Sequence, residues 1–142
     1  MNLYEMAGHS IRRLNQNSTQ VFSHRMQELG YDLTPVQFAA MNAIDSFPGI
    51  DQAGVAAHIA YDRATIGGVL DRLEQKGYIS RMVSKRDARA REVQLTEMGA
   101  EVYTEILPVV RALQSEILPG LNKADRAKFM ELATRVISNV GV

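Results

Sequence analysis

Between Lys76 and Arg91 the chain carries six bases, Lys76, Arg81, Lys85, Arg86, Arg89 and Arg91, against one acid, Asp87, a local net charge of +5. Cations at that density suit the phosphates of a nucleic-acid backbone, and arginine can also enter a minor groove. The rest of the chain offers no such excess, because sixteen basic residues balance sixteen acidic ones over 142 residues. Any nucleic-acid footprint is therefore local. A hairpin kept soluble by its charges would look the same in isolation, so the surrounding elements must decide.

A second polar group lies near the N-terminus. His9, Arg12 and Gln16 are spaced i, i+3 and i+7, which puts them on one face of a helix. The Arg12 guanidinium can form a bidentate pair with a carboxylate. The competing reading is a solvated face or a set of intersubunit hydrogen bonds. His24 and His58 share no metal-ligand spacing with His9, and no Gly-rich phosphate loop or Ser/His/Asp arrangement stands out. His24, between Phe22 and Met26, fits a core or interface role; His58 fits a phosphate contact. The chain has no cysteine, which removes thiol catalysis, disulfides, Cys-based zinc sites and thiol oxidant sensing. No enzyme activity, metal or cofactor is expected.

Hydrophobic residues make up 46% of the chain, enough for a sizeable core. No apolar run approaches the ~20 residues of a membrane span, and no signal-peptide core opens the sequence. A cytoplasmic protein is the expectation, with no membrane partner.

The periodicity predicts a mainly α chain with one small β-hairpin. Apolar residues from Leu3 to Leu29 read as one long helix, stopped by Gly30. Thr34-Pro35 opens a second helix, closed by Phe47-Pro48-Gly49. Ile50 suits a short strand position. Asp51 caps a short helix to Ile59, Ala60-Tyr61 breaks it, and Asp62 caps the next helix, Arg63 to Lys76, which ends at Gly77. Tyr78–Met82 and Arg91–Leu95 alternate as strands. Thr96 caps a helix to about Leu118 that Pro108 should kink. Pro119-Gly120 breaks it, and Lys123 to Val140 forms the last helix. Two short helices with a tight break, then a hairpin, describe a winged helix-turn-helix. The long flanking helices have more apolar stripe than so small a centre covers, which predicts packing against a second copy of the chain.

In the Arg63–Lys76 helix, Ile66, Val69, Leu70 and Leu73 form the buried face. Arg63, Ala64, Thr65, Gly67 and Gly68 occupy the other side at its N-terminal end, the part that such helices present to base edges. Arg63 can reach a guanine or a phosphate, Ala64 can touch a thymine methyl, and Thr65 can donate or accept. Gly67 and Gly68 suit either close approach to a duplex or close helix packing. The candidate DNA contacts are these five residues with Lys85, Arg86, Asp87, Arg89 and Arg91 of the wing.

These segments resemble the MarR (multiple antibiotic resistance regulator) family of winged-helix regulators. "LTPVQFAAMNAI" is similar to the family's second helix and "VAAHIAYDRATIGGVLDRLEQKGYISR" to its helix-turn-helix. "SKRDARAREVQLTEMG" resembles its wing, with D-x-R at Asp87-Ala88-Arg89 and L-T-x-x-G at Leu95, Thr96 and Gly99. The resemblance implies a homodimer built from terminal helices, residues 1–33 and 97–142, around a DNA-binding lobe at 34–96. It implies recognition helices in successive major grooves of a double-stranded, pseudo-palindromic operator, with Arg89 entering the minor groove and Asp87 holding Arg89 or the wing backbone. "GHSIRRLNQ" and "GIDQ…YDRATIGGV" resemble members that control aromatic-acid catabolism. That implies a repressor released by a small aromatic carboxylate or its CoA thioester, with His9, Arg12 and Gln16 as the ligand site. A winged-helix module used only for protein contacts, or a regulator with a different effector, is the alternative.

Overall fold

In the computed structural model, which describes residues 1–140, six helices and one antiparallel hairpin follow in the order α1 Ala7–Leu29, α2 Pro35–Ser46, α3 Gln52–His58, α4 Arg63–Gln75, β1 Ile79–Val83, β2 Arg91–Leu95, α5 Glu97–Ile117 and α6 Lys123–Ser138. The winged helix-turn-helix order expected from the periodicity is thus the observed one.

Local capping chemistry sets most of the boundaries. Thr34 accepts the Gln37 amide and Gln37 accepts the Thr34 amide, a capping box at the start of α2 with Pro35 in the first turn. Asp51 Oδ1 accepts from Gly54 N at 2.7 Å, and Asp62 Oδ1 from Ala64 N at 2.9 Å. Gly30 and Gly77 adopt left-handed backbone just beyond α1 and α4.

Besides one-residue differences at the ends of α3, α4 and α5, three boundaries differ from the sequence reading. The first helix does not start at Leu3. A 3₁₀ turn at Leu3–Glu5, capped by Asn2, is separated from α1 by Met6 in extended conformation. Apolar spacing carries across such a break because it registers which side chains are oily and not the backbone between them. The hairpin register pairs Ile79 with Leu95 and Val83 with Arg91, so β1 runs one residue later than the alternation suggested. The last helix stops at Ser138, with Asn139 as its cap. Pro108 lies inside α5. The final two positions of the 97–142 segment fall outside the described residues.

One core serves the whole protomer. Ile66, Leu70 and Leu73 of α4, Met41 of α2, Val55 of α3, Val93 of β2 and Ile106 of α5 are almost fully buried. Burial of each such side chain is worth about 1.5–3 kcal/mol. The two outer helices contribute little to it. Only Phe22 and Met26 of the 23-residue α1 are buried, and α6 buries nothing. Between α1, the end of α5 and α6 runs an apolar groove of about 970 Å³, lined among others by Leu14, Ile117, Phe129, Met130, Ala133 and Ile137. Polar ties hold α1 and the loop after it to α5: Asn17 Nδ2 donates to Ile117 O at 2.7 Å, Arg25 forks onto Glu116, and Tyr31 OH donates to Glu105 at 2.5 Å.

A close joint connects α5 to the hairpin. Thr96 N donates to Tyr78 O at 3.0 Å, and Thr96 Oγ1 donates to Gly77 O at 2.6 Å while accepting from Gly99 N. A Cβ on Gly99 would lie 1.9 Å from the Tyr78 carbonyl oxygen, so only glycine fits.

The turn between α3 and α4 stores strain. Ala60 has φ of +54°, and the Tyr61 amide closes back on Ala56 O at 2.8 Å. A left-handed non-glycine residue costs about 1–2 kcal/mol. The Ala60→Gly variant should therefore unfold at a higher urea concentration than wild type, by roughly 1 kcal/mol. An equal or lower midpoint would show that the turn is unstrained.

Candidate nucleic-acid interface

The helix-turn-helix places Arg63, Ala64, Thr65 and Gly68 in solvent at the start of α4, with Gly67 half-buried. The opposite face is the buried row of Ile66, Val69, Leu70 and Leu73. Thr65 Oγ1 donates to Asp62 O at 3.2 Å, so its hydroxyl is pre-oriented and still free to accept.

The two glycines separate. A Cβ on Gly67 would lie 3.4 Å from Nε2 of Gln52, whose amide occupies the gap between α3 and α4. A Cβ on Gly68 would meet nothing within 4 Å. The end of the Gln52 side chain would make only an ordinary contact with a Cβ on Gly67, so packing inside the chain demands glycine at neither position.

The wing tip is organised by Ser84, a residue not singled out from the sequence. Its Oγ accepts from Arg86 N at 3.1 Å and Asp87 N at 3.3 Å, and donates to Glu92 Oε1 at 3.2 Å. Asp87 Oδ1 accepts from Arg89 N at 3.0 Å, and Arg89 Nε lies 3.5 Å from the same oxygen. With the tip backbone held this way, Lys85, Arg86, Arg89 and Arg91 are all exposed, and the Arg89 side chain is 93% exposed. Midway along the hairpin, Val93 N donates to Ile50 O at 2.9 Å, and Asp51 forms an isolated bridge to Glu92; the sheet keeps two strands, so the strand position expected at Ile50 amounts to this single contact.

Two cations of the basic run do not belong to the outward set. Arg81 pairs with Asp71 at 2.6 Å and Glu74 at 3.0 Å. The hydrogen bond from Arg81 is the main reason the Glu74 carboxyl sits below its ordinary range, and the Glu74 bond in turn raises Arg81. Lys76 donates to Asp32 O and, at 3.0 Å, to Gln37 Oε1, a buried polar atom that also serves the α2 capping box. The local excess of +5 overstates the exposed charge, because the count began after Asp71 and Glu74 and could not see the pairing.

His9, Arg12 and Gln16 lie along α1 as expected, with Arg12 Nη2 3.2 Å from His9 Nδ1 and the Tyr4 ring edge-on to His9 at 5.8 Å. Arg12 and Gln16 are exposed, and none of the three lines the cleft that the protomer itself forms. That cleft, about 440 Å³, opens between α2, α3 and α5 and is lined by Phe38, Asn42, His58, Leu107, Arg111 and Gln114 among others. Phe38 stacks on Tyr103 at 5.8 Å, and Asn42 Nδ2 donates to Tyr103 OH at 2.8 Å. These residues come from three elements far apart in the chain, so no local motif announced them. His24 is exposed beside Glu28, so of its two expected roles the core one is excluded and the interface one is not. His58 is also exposed, its ring 4.6 Å from Phe47. No group of His, Cys, Asp or Glu that could hold a metal occurs among the described residues, and none of their helices is long and apolar enough to cross a membrane.

A recognition helix with a bare N-terminal face, followed by a hairpin with an outward cationic tip, defines the class of winged-helix DNA-binding regulators. A family model described as MarR family matches residues 31–90. The transcriptional regulator HosA of Escherichia coli is 31% identical over 138 residues, covering 97% of this chain and 99% of HosA. The protein therefore belongs to the MarR family of transcriptional regulators. Among solved structures, Bordetella bronchiseptica BpsR, whose DNA binding is regulated by 6-hydroxynicotinic acid, superposes with a TM-score of 0.88 at 26% identity, covering 99% of this chain and 98% of BpsR. Streptomyces coelicolor PcaV in complex with its natural ligand also gives 0.88, at 28% identity over 98% of this chain and 96% of PcaV.

The open space at Gly68 generates a test with opposite signs. Gly68→Ala should stabilise the free protein by about 1 kcal/mol through helix propensity and weaken DNA binding by crowding the duplex. A variant that is more stable and binds DNA as wild type does would remove Gly68 from the interface.

Proposed function

We propose that the protein is a homodimeric repressor that reads a pseudo-palindromic operator and leaves it when a small aromatic carboxylate, or its CoA thioester, binds. The observation that carries the DNA-reading part is the wing tip, where Ser84 and Asp87 hold the backbone and leave Lys85, Arg86 and Arg89 exposed. The start of α4 would enter a major groove, with Arg63, Ala64, Thr65 and Gly68 towards the bases. Arg86 and Arg89 would reach the flanking minor groove, with Arg91 and Lys85 on phosphates. The groove between α1, α5 and α6 would take the same helices of a second copy, which gives the reader its two-fold symmetry.

The relatives support the effector class: BpsR responds to 6-hydroxynicotinic acid, itself an aromatic carboxylate. In this chain the ring of such an acid would lie against Phe38, in a cleft within the usual size range for small ligands, ~300–1,000 Å³. Two arginines compete for the carboxylate. Arg12 lies in the His9–Arg12–Gln16 cluster of α1, and Arg111 lines the cleft itself. We assign it to Arg12, brought to the cleft by dimer assembly. A ligand that prefers a dimer with wrongly spaced recognition helices must weaken DNA binding by linkage.

Two measurements test this function. The Lys85→Ala/Arg91→Ala variant should show a shallower fall of DNA affinity with salt than wild type, by up to about 2 in the log–log slope, since each phosphate contact contributes ~0.9. An unchanged slope would take the wing off the DNA. Titration of aromatic acids into the wild-type complex should release DNA, and Arg12→Ala should lose the response. Loss only in Arg111→Ala would move the carboxylate to the cleft arginine, and no release by any acid would sink the effector class.

A further inference from the structure

Arg81 stands in the middle of the wing's basic run, yet its side chain is only 10% exposed. All three guanidinium nitrogens are engaged. Nε donates to Glu74 Oε2 at 3.4 Å, Nη2 to Glu74 Oε1 at 3.0 Å and Asp71 Oδ1 at 2.6 Å, and Nη1 to Gln52 Oε1 at 3.3 Å. The partners belong to different parts of the reader: Gln52 opens α3, Asp71 and Glu74 lie on α4, and Arg81 itself is in β1. Its cross-strand neighbour Val93 is buried and tied to Ile50. Both strands of the hairpin are thus anchored at one level, and everything beyond, from Met82 to Arg91, projects from that anchor.

The charge balance argues against a phosphate contact. Two carboxylates surround one guanidinium, so the cluster carries a net negative charge and would repel a DNA backbone. Releasing Arg81 to a phosphate would leave both acids unpaired beside it. The forked geometry also fits arginine and not lysine, because it needs three separate nitrogens in one plane.

We infer that Arg81 is a positioning residue of the DNA reader: it locks the wing to the recognition helix, so that the start of α4 and the wing tip meet a duplex as one rigid unit. This rests on the operator-binding reading above. The consequence is a coupling between wing and helix. With the lock intact, placement of α4 in its groove also places Arg89. Without it, the wing tip must be ordered separately at each encounter, and Arg89 contributes little.

The sign of one substitution pair separates this role from plain electrostatics. Asp71→Asn/Glu74→Gln removes two negative charges near the DNA, which by itself tightens binding. Loss of the lock weakens it. The probe is a duplex recovered by the wild-type protein from a randomised pool. The expected result is weaker binding by about tenfold. In that background Arg89→Ala should cost much less than it does in wild type. Hydrogen exchange of the Met82–Arg91 amides should speed up while the buried α5 amides keep their protection, which a general loss of stability would not produce. Tighter or unchanged binding, or an Arg89→Ala effect of full size in the variant, would overturn the proposal. If the double substitution fails to fold, Arg81→Lys carries the same cycle, because it keeps the charge and loses the fork. If no duplex is recovered, the operator-binding reading fails, and wing exchange in the same variant still tests the lock.

Discussion

The reading lobe depends on one close approach, the backbone of Gly99 against the carbonyl of Tyr78. At that point the end of the recognition helix, the start of β1, the end of β2 and the start of α5 converge, joined by three hydrogen bonds through Thr96. Any side chain at position 99 would drive α5 away from the hairpin. Since α5 also carries the core row Val102, Ile106, Val110 and Leu113, the joint fixes the lobe to the long helices in a single geometry. A movement of α5 therefore has little freedom to dissipate before it reaches α4 and the wing.

Charge in this protein is organised by pairing more than by count. The chain is neutral, and the basic run after α4 divides into two classes. Arg81 and Lys76 are consumed by acids, amides and a carbonyl of α2, α3, α4 and the loop before α2, and act as internal ties. Lys85, Arg86, Arg89 and Arg91 extend from a tip whose backbone is closed by Ser84 and Asp87. A protein can hold a cationic patch without net positive charge if its acids are spent on inward cations.

What was legible in the sequence was chiefly local. Thr34-Pro35, Asp51, Asp62, Thr96, Gly30 and Gly77 announce helix ends because each satisfies backbone groups within a few residues of itself. The buried face of α4 was legible from its period. The pairing of Arg81 was not, since its partners lie seven and ten residues back on another element and contact depends on the turn at Gly77. The two acids just ahead of the basic run were the available signal. The cleft of Phe38, Asn42, His58 and Arg111 was invisible for the same reason, being built from α2, α3 and α5 with no shared motif. The break at Met6 was hidden by an apolar stripe that continues across it. The surplus apolar stripe of the long helices pointed to a second copy, and the family resemblance added the two-fold arrangement of its operator.

In the proposed reader, two copies of this lobe, held by α1, α5 and α6, read one two-fold site. Footprinting of the protein on a duplex that it selects from a random pool tests it most directly. Two inverted half-sites should be protected, their centres about one helical turn (~34 Å) apart, bound by two chains. Protection of a single asymmetric site by one chain would contradict it.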